Sequence, residues 1–248
     1  MHIAPSAQSL ILADQFTQST PQNREYSQSY QIEDIRLLAD MLTLQDELQE
    51  SYMSALLGGS SLRLPIKTWE VQTIFLNADH GGTFDLALSK NYTRCATLFN
   101  FFNQHPDVNN FGQLKNVNSS YFPGGDANEN LSYSLHLGSK RMPDNDVRGT
   151  SETWYRLLGA LGMRDSLAHS TTIDEAAFKS DHFAVGFDLE RIPALMASGE
   201  NLSTGQTIFM RYRGFIGASA TDIPRQATVC AHFERIISIM DTVVDVVD

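Results

Sequence analysis

From Trp69 onward, apolar residues recur at every second position in run after run. Trp69, Val71, Thr73 and Phe75 alternate with Glu70 and Gln72. Phe84, Leu86 and Leu88 alternate next, after a turn at His80-Gly81-Gly82. Leu131, Tyr133, Leu135 and Leu137 alternate with Ser132, Ser134 and His136. Phe183, Val185, Phe187 and Leu189 share one parity, as do Val229, Ala231, Phe233, Ile237 and Ile239. A period of two puts successive side chains on opposite faces of a strand, so each run predicts a half-buried strand. Cys95 to Phe102 is apolar nearly throughout and predicts a strand covered on both faces. Thr207 to Arg213 and Val243 to Val247 complete the set.

Two segments carry helical spacing instead. Leu44, Leu48, Tyr52 and Leu56 recur every fourth residue, with Thr43 as cap, Asp46 three residues on, and Gly58-Gly59 as stop. Trp154, Leu157, Leu158 and Leu161 lie at i, i+3, i+4 and i+7, with Thr150 or Ser151 as cap and Gly162 as stop. Residues 1–31 are polar and aperiodic apart from Leu10-Ile11-Leu12, and residues 103–130 form a long Asn-, Gly- and Pro-rich loop. The strands do not alternate with helices, which excludes a parallel βαβ sheet. The expectation is therefore an all-β fold: an antiparallel eight-stranded jelly-roll sandwich with a short insert helix and an irregular, partly helical N-terminal segment. Residues 1–61 are assigned to the arm and helical segment and residues 62–248 to the jelly-roll domain. Trp69, Phe84, Phe99, Tyr133, Leu135, Phe183, Val185, Ile208 and Phe233 are the expected core.

Composition narrows the function classes. The chain has 248 residues, 42% hydrophobic and 19% charged, with a formal net charge of −11. An acidic chain lacking a run of Lys and Arg does not neutralise phosphates, so sequence-specific nucleic-acid binding is not expected. No segment is apolar enough to span a membrane, and the N-terminus shows no basic region followed by an apolar core. The expectation is a protein that is not secreted, so the sequons at Asn91, Asn118, Asn130 and Asn201 read as Asn-rich loops. Cys95 and Cys230 both sit in apolar runs and read as buried free thiols.

No motif in the chain points to catalytic chemistry. Asp79-His80 before two glycines reads as a turn, and Asp181-His182 as a polar strand start. No two histidines stand at a metal-ligand spacing. Asp241, Asp245 and Asp248 read as the solvent face of a last strand rather than a calcium site. Ser198 lacks the G-x-S-x-G frame of a nucleophile elbow. The loop Gly199 to Gly205 lacks the Lys and helix of a phosphate loop, and reads as a hairpin connection. No catalytic residue, cofactor-binding residue or metal ligand is assigned, and no cofactor or enzymatic activity is expected.

Several segments together resemble one family. Phe183-Ala-Val-Gly-Phe-Asp-Leu-Glu-Arg191, Ser198-Gly-Glu-Asn-Leu-Ser-Thr-Gly205, His232-Phe-Glu-Arg-Ile-Ile-Ser-Ile239 and Val243-Val-Asp-Val-Val-Asp248 resemble the C-terminal region of double jelly-roll major capsid proteins of polinton-like and virophage-like small DNA viruses. Leu131-Ser-Tyr-Ser-Leu-His-Leu-Gly-Ser-Lys-Arg-Met-Pro143, the helix containing Tyr155 and the entry Leu64-Pro-Ile-Lys-Thr-Trp69 fit the same pattern. The resemblance covers residues 62–248. Family members carry two jelly rolls, whereas this chain has room for one roll plus an N-terminal remnant, or for two very compact ones. The resemblance implies a structural coat protein that self-assembles into a virion shell, built on trimers that meet neighbouring capsomers or minor capsid proteins. It places the protein in the virion, and inside the host cell during assembly. A receptor- or carbohydrate-binding jelly roll, using the loops around Tyr121 and Asn128, is the alternative. An enzyme on a β scaffold lacks a clustered site.

Overall fold

A computed structural model describes residues 31, 33–34, 36, 38–41, 43–77, 79–90, 92–103, 122–123, 130–164, 171, 173–179, 182–190, 198–203, 207–217, 223–240 and 244–247. The chain divides into two compact units, Lys67–Glu234 and Met1–Ile66 with Arg235–Asp248. Nine strands are described: β1 (Leu62–Phe75), β2 (Phe84–Ala87), β3 (Cys95–Asn103), β4 (Ser132–Leu137), β5 (Lys140–Arg148), β6 (Val185–Asp188), β7 (Ile208–Arg213), β8 (Gln226–Ile239) and β9 (Val244–Val247). The helices are α1 (Asp46–Leu57), α2 (Gly149–Ala160) and α3 (Glu175–Phe178).

The strand order is β1-β8-β3-β6 in one sheet and β2-β7-β4-β5 in the other, with β9 added to β8. The order has a simple logic. β1 neighbours β8, β2 neighbours β7, β3 neighbours β6 and β4 neighbours β5. The chain is thus a long folded ribbon whose tip is the β4–β5 pair. Rolling that ribbon brings β3 against β8 and β4 against β7, both antiparallel, and closes two sheets over one core. This is the two-sheet jelly roll of eight strands.

The core lies between the sheets in the Lys67–Glu234 unit. Leu98, Asn100 and Phe102 of β3 face Met210 and Tyr212 of β7. Val185 and Phe187 of β6, Tyr133 and Leu135 of β4, and Val229, Ala231 and Phe233 of β8 complete the buried faces. Of the expected core, Phe84, Phe99, Tyr133, Leu135, Phe183, Val185, Ile208 and Phe233 are buried. Trp69 is not: it is 57% exposed. β1 is the edge of its sheet, and its even-numbered side chains turn toward the rim of β2. There Gln72 accepts hydrogen bonds from the Ser89 N–H and hydroxyl, and Glu70 pairs with Lys90. The odd-numbered residues therefore face out.

α2 packs on the outer side of β6, where Gly186 makes room for it. A Cβ built on Gly186 would stand 2.8 Å from Ala160 Cβ and 3.2 Å from Leu157 Cδ1. α2 starts earlier than its sequence suggests. Its N-cap is Arg148, not Thr150 or Ser151, and the Glu152 carboxylate accepts the Arg148 N–H at 3.0 Å. Thr150 is buried in the first turn, and Gly162, at φ +68°, ends the helix as expected. α3 went unforeseen; Asp174 caps it by accepting the Ala177 N–H at 2.7 Å.

In the second unit α1 begins at Asp46 with Gln45 as N-cap. Thr43 lies too far upstream to cap it, and Asp46 and Glu47 take the positive end of the helix dipole instead. Gly58 and Gly59 end the helix, Gly59 at φ +82°. β9 pairs antiparallel with Ile236–Ile239 of β8. Val244 and Val246 are exposed along with Asp245, so this strand has no single solvent face; Asp241, Val243 and Asp248 lie outside the described residues.

Two stability outcomes follow. β8 sits between β1 and β3, so deleting Thr228–Asp248 removes a central strand along with buried Val229, Ala231 and Phe233. Burial of each large apolar side chain is worth ~1.5–3 kcal/mol, against a total stability of ~5–15 kcal/mol. The truncated chain should be insoluble or lack a cooperative melt by circular dichroism. Gly214 has φ +69°, and a Cβ there would lie 2.3 Å from the Asn130 carbonyl oxygen. Gly214→Ala should cost more than the ~1–2 kcal/mol of a left-handed residue alone, read as a lower denaturation midpoint.

Candidate interaction surface

His80 is tied into the fold through both ring nitrogens. His80 accepts the Gly82 N–H on Nδ1 at 3.0 Å, which leaves Nε2–H to donate to the Pro224 carbonyl at 2.7 Å. Its ring also meets the edge of Phe84 at 4.8 Å. The turn at Asp79-His80 is therefore pinned to the segment that enters β8. His182 donates its backbone N–H to the Ala177 carbonyl, beyond the C-terminus of α3; Asp181 lies outside the described residues.

The Ser198 loop is not a hairpin connection. β6 and β7 belong to different sheets, so the segment between them crosses from one to the other. On the way it is stitched to the start of β3: Glu200 and Cys95 exchange backbone hydrogen bonds, and the Leu202 N–H donates to the Tyr92 carbonyl at 2.8 Å. The nearly buried Glu200 carboxylate is met by Lys140 Nζ at 3.0 Å. A Cβ on Gly199 would lie 2.7 Å from Arg94 C, so the crossing admits no side chain there.

Both cysteines are free. Cys95 is buried, and burial pushes its thiol up to about 12. Cys230 is half-buried, and burial raises its pKa too. Neither thiol is in an environment that makes a thiolate nucleophile. Among the described residues, no group of three or more His, Cys, Asp or Glu is arranged to hold a metal ion. No described helix is long and apolar enough to cross a membrane.

What the structure does present is an outward face on the larger sheet. Cross-strand pairing sets Cys230 beside Phe99, His232 beside Thr97 and Thr228 beside Phe101. Phe99 is buried, yet it lies on this outer side, stacked 5.9 Å from Trp69. The Leu76 N–H bond to the Arg225 carbonyl sets β1 against β8, and Trp69 stacks on His232 at 4.5 Å with 19° between the rings. Trp69, Val71 and Phe101 are 57%, 52% and 37% exposed over this floor. Singly exposed apolar residues are ordinary, but a contiguous aromatic patch on three adjacent strands marks a contact surface. The sequence did contain its signal. Glu70 and Gln72 demand polar partners, and an edge strand lets them turn inward to find them at a rim.

The other sheet's outer face is polar. Arg211 forms a two-pronged bond to Asp85, its cross-strand neighbour, at 3.0 and 3.1 Å. Its guanidinium stands over Phe209, which stacks on His136 at 4.6 Å. Such exposed pairs add little stability and keep the face solvated.

Comparison with known proteins gives the following. No protein-family model matches the chain, and no curated protein matches it. Among solved structures, the crystal structure of PBCV-1 VP54 fitted into a cryo-EM reconstruction of the virophage Sputnik is similar over 81% of this chain and 54% of that one, at 12% identity and a TM-score of 0.48. A quasi-atomic model of the PBCV-1 virus capsid is similar over 80% of this chain and 54% of that one, at 13% identity and a TM-score of 0.47. The cryo-EM structure of the Sputnik virophage is similar over 75% and 38%, at 11% identity and a TM-score of 0.40. The chain thus spans about half the length, or less, of these proteins.

The two stacked histidines predict a pH response. Burial, then the charge of Lys67, lowers the pKa of His232; burial, then Arg211 and Arg141, lowers that of His136. A base with a depressed folded pKa binds more protons unfolded than folded. Its contribution is therefore whole above the ordinary 6.5 and lost as pH falls below it. The melting temperature should drop on acidification through that range, and His136→Gln with His232→Gln should flatten the drop. An unchanged slope in the double variant would contradict this.

Proposed function

We propose that this chain is a structural subunit of a virion shell, acting by self-association rather than by catalysis. The observation that carries the reading is a complete jelly roll whose larger sheet turns an aromatic patch of Trp69, Val71 and Phe101 to the outside. A shell subunit needs a rigid wall and faces that bind their own kind. The rolled strand order supplies the wall, and the patch supplies a face. The sequence resemblance to double jelly-roll capsid proteins favours the same role. His80, His136 and His232 sit in tying or stacking positions, and burial raises the pKa of both thiols, which supports a non-enzymatic reading.

In this reading residues 62–248 form the jelly-roll wall, and residues 1–61 are an arm carrying α1, left from a first roll. The subunits form trimers, the closed symmetric assembly that self-complementary surfaces favour. The trimers meet neighbouring capsomers or minor capsid proteins. The protein resides in the virion, and in the host cell interior during assembly.

Purified full-length chain examined by analytical ultracentrifugation and negative-stain electron microscopy tests the proposal. Trimers that assemble into sheets or closed particles are expected. A strict monomer at high concentration, with no particles under any assembly condition, would overturn it.

A further inference from the structure

We propose that Arg148, Ser132 and Arg213 form an oxyanion site on the outer face of the smaller sheet, and that its ligand is a terminal phosphate group. The chain has no run of Lys and Arg, but strand pairing gathers what the sequence scatters. Ser132, at the start of β4, is the cross-strand partner of Arg148 on one side and of Arg213 on the other. Directly paired residues point to the same face, with Cβ atoms ~4.5–5.5 Å apart. That face is the outer one, because the adjoining residues Tyr133, Val147 and Tyr212 are buried in the core. Both arginines are exposed, and Ser132 is half-buried between them. Two guanidinium groups from strands ~10 Å apart therefore flank one hydroxyl.

The neighbouring charges have partners of their own. Asp85 holds Arg211, and Asp146 pairs with Arg141. Glu152 accepts the Arg148 N–H and pairs with Arg156. Asp144 lies four residues before Arg148, where the register of β5 shifts, and its carbonyl accepts a bond from Arg141. Among the described residues the guanidinium groups of Arg148 and Arg213 enter no ion pair. Helix stability does not account for Arg148 either: it is the N-cap of α2, where a cation opposes the helix dipole. His136, on the same face of β4, senses the sign of the local field. After burial, Arg211 and Arg141 lower its pKa more strongly than Asp146 and Asp85 raise it.

The donor set selects the ligand. An arginine fork matches phosphate and carboxylate alike. Two forks and a hydroxyl offer ~five hydrogen bonds, against the ~four acceptor positions of a carboxylate. A terminal phosphate brings three free oxygens and nearly two charges, and can engage both forks and the hydroxyl together. A phosphodiester keeps two free oxygens and one charge, and is no better matched than a carboxylate. The site goes beyond the shell reading and does not depend on it.

Equilibrium dialysis of the full chain against radiolabelled inorganic phosphate, at neutral pH and fixed ionic strength, tests the site. Saturable binding at one site per chain is expected. Arg148→Gln and Arg213→Gln should each weaken it by about tenfold or more, and Ser132→Ala several-fold. Lys67→Gln makes the same charge change on the other sheet and should leave binding unchanged. All four side chains point away from the core, and circular dichroism melts check that each variant folds. No saturable binding, or an equal loss in Lys67→Gln, overturns the site, since net charge alone then holds the ion. Acetate or a single-stranded oligonucleotide displacing the label as well as unlabelled phosphate does overturns the terminal-phosphate assignment. Two further outcomes uphold the site and separate its ligands. Displacement by phosphoserine at lower concentration than by phosphate marks a monoester, and the reverse marks the free ion. The assay reads binding by the chain whatever its assembly, so its failure leaves the shell reading standing.

Discussion

The fold depends on how two sheets are held face to face, and Tyr212 is where that is decided. It lies on β7, between β2 and β4, and is wholly buried. Its ring meets Phe84 and Phe102 at 5.2 Å each and Phe215 at 4.9 Å. Aromatic rings fill the ~10 Å between packed sheets with few rotatable bonds. A phenol in that space must find a hydrogen-bond partner, since an unpaired buried hydroxyl costs ~1–3 kcal/mol. Asn100, at the centre of β3 in the opposite sheet, donates to the hydroxyl at 2.5 Å. Burial raises the Tyr212 pKa far above its ordinary value, so the phenol keeps its proton. The bond ties the inner strand of one sheet to the inner strand of the other. A slip of one residue in either strand would turn one partner to the outside.

Given that tie, the rest of the sandwich follows by distance from it. Around Asn100 the inward side chains are mostly apolar. At the rims polar bonds close the edges: Gln72 to Ser89 on one side, Lys140 to Glu200 on another. Buried Phe178 packs against Phe183 at 5.2 Å and against Trp154 of α2 at 4.7 Å, both with tilted rings, which carries the aromatic packing from the core to the insert helix. The pH-sensitive histidines sit outside this system, on the outer faces, where burial is partial.

Most strands were legible because their two faces see different surroundings. β4 is the plainest case: Leu131 to Leu137 alternate, and Tyr133, Leu135 and Leu137 are buried. β5 was not legible. Lys140 to Arg148 holds Pro143 and three charged residues besides its ends, and as the outer strand of its sheet it buries only Val147. An edge strand tolerates proline and charge and so carries no periodic signature. Trp69 was misplaced for the converse reason: β1 has a clear period, but period alone does not say which face is inside. The Ser198 segment was misread because a glycine-bounded polar loop looks the same whether it joins paired strands or crosses between sheets. The absence of an assigned site in the sequence left the contact face unnamed, since its residues belong to three strands far apart in the chain.

The same edge position that turned the apolar side of β1 outward also makes it useful. An inner strand must spend both faces on packing, and its apolar residues are committed to the fold. β1 satisfies its inward side with polar bonds to a rim, so the tryptophan and valine of its outward side are free of the core. Their removal should therefore leave the sandwich intact, whereas an inner residue such as Leu98 carries structure and nothing else. Placing the largest exposed aromatic among the described residues on an edge strand, outside the core, separates stability from contact. Such a separation lets the sandwich stay rigid while the residues on its outer face vary.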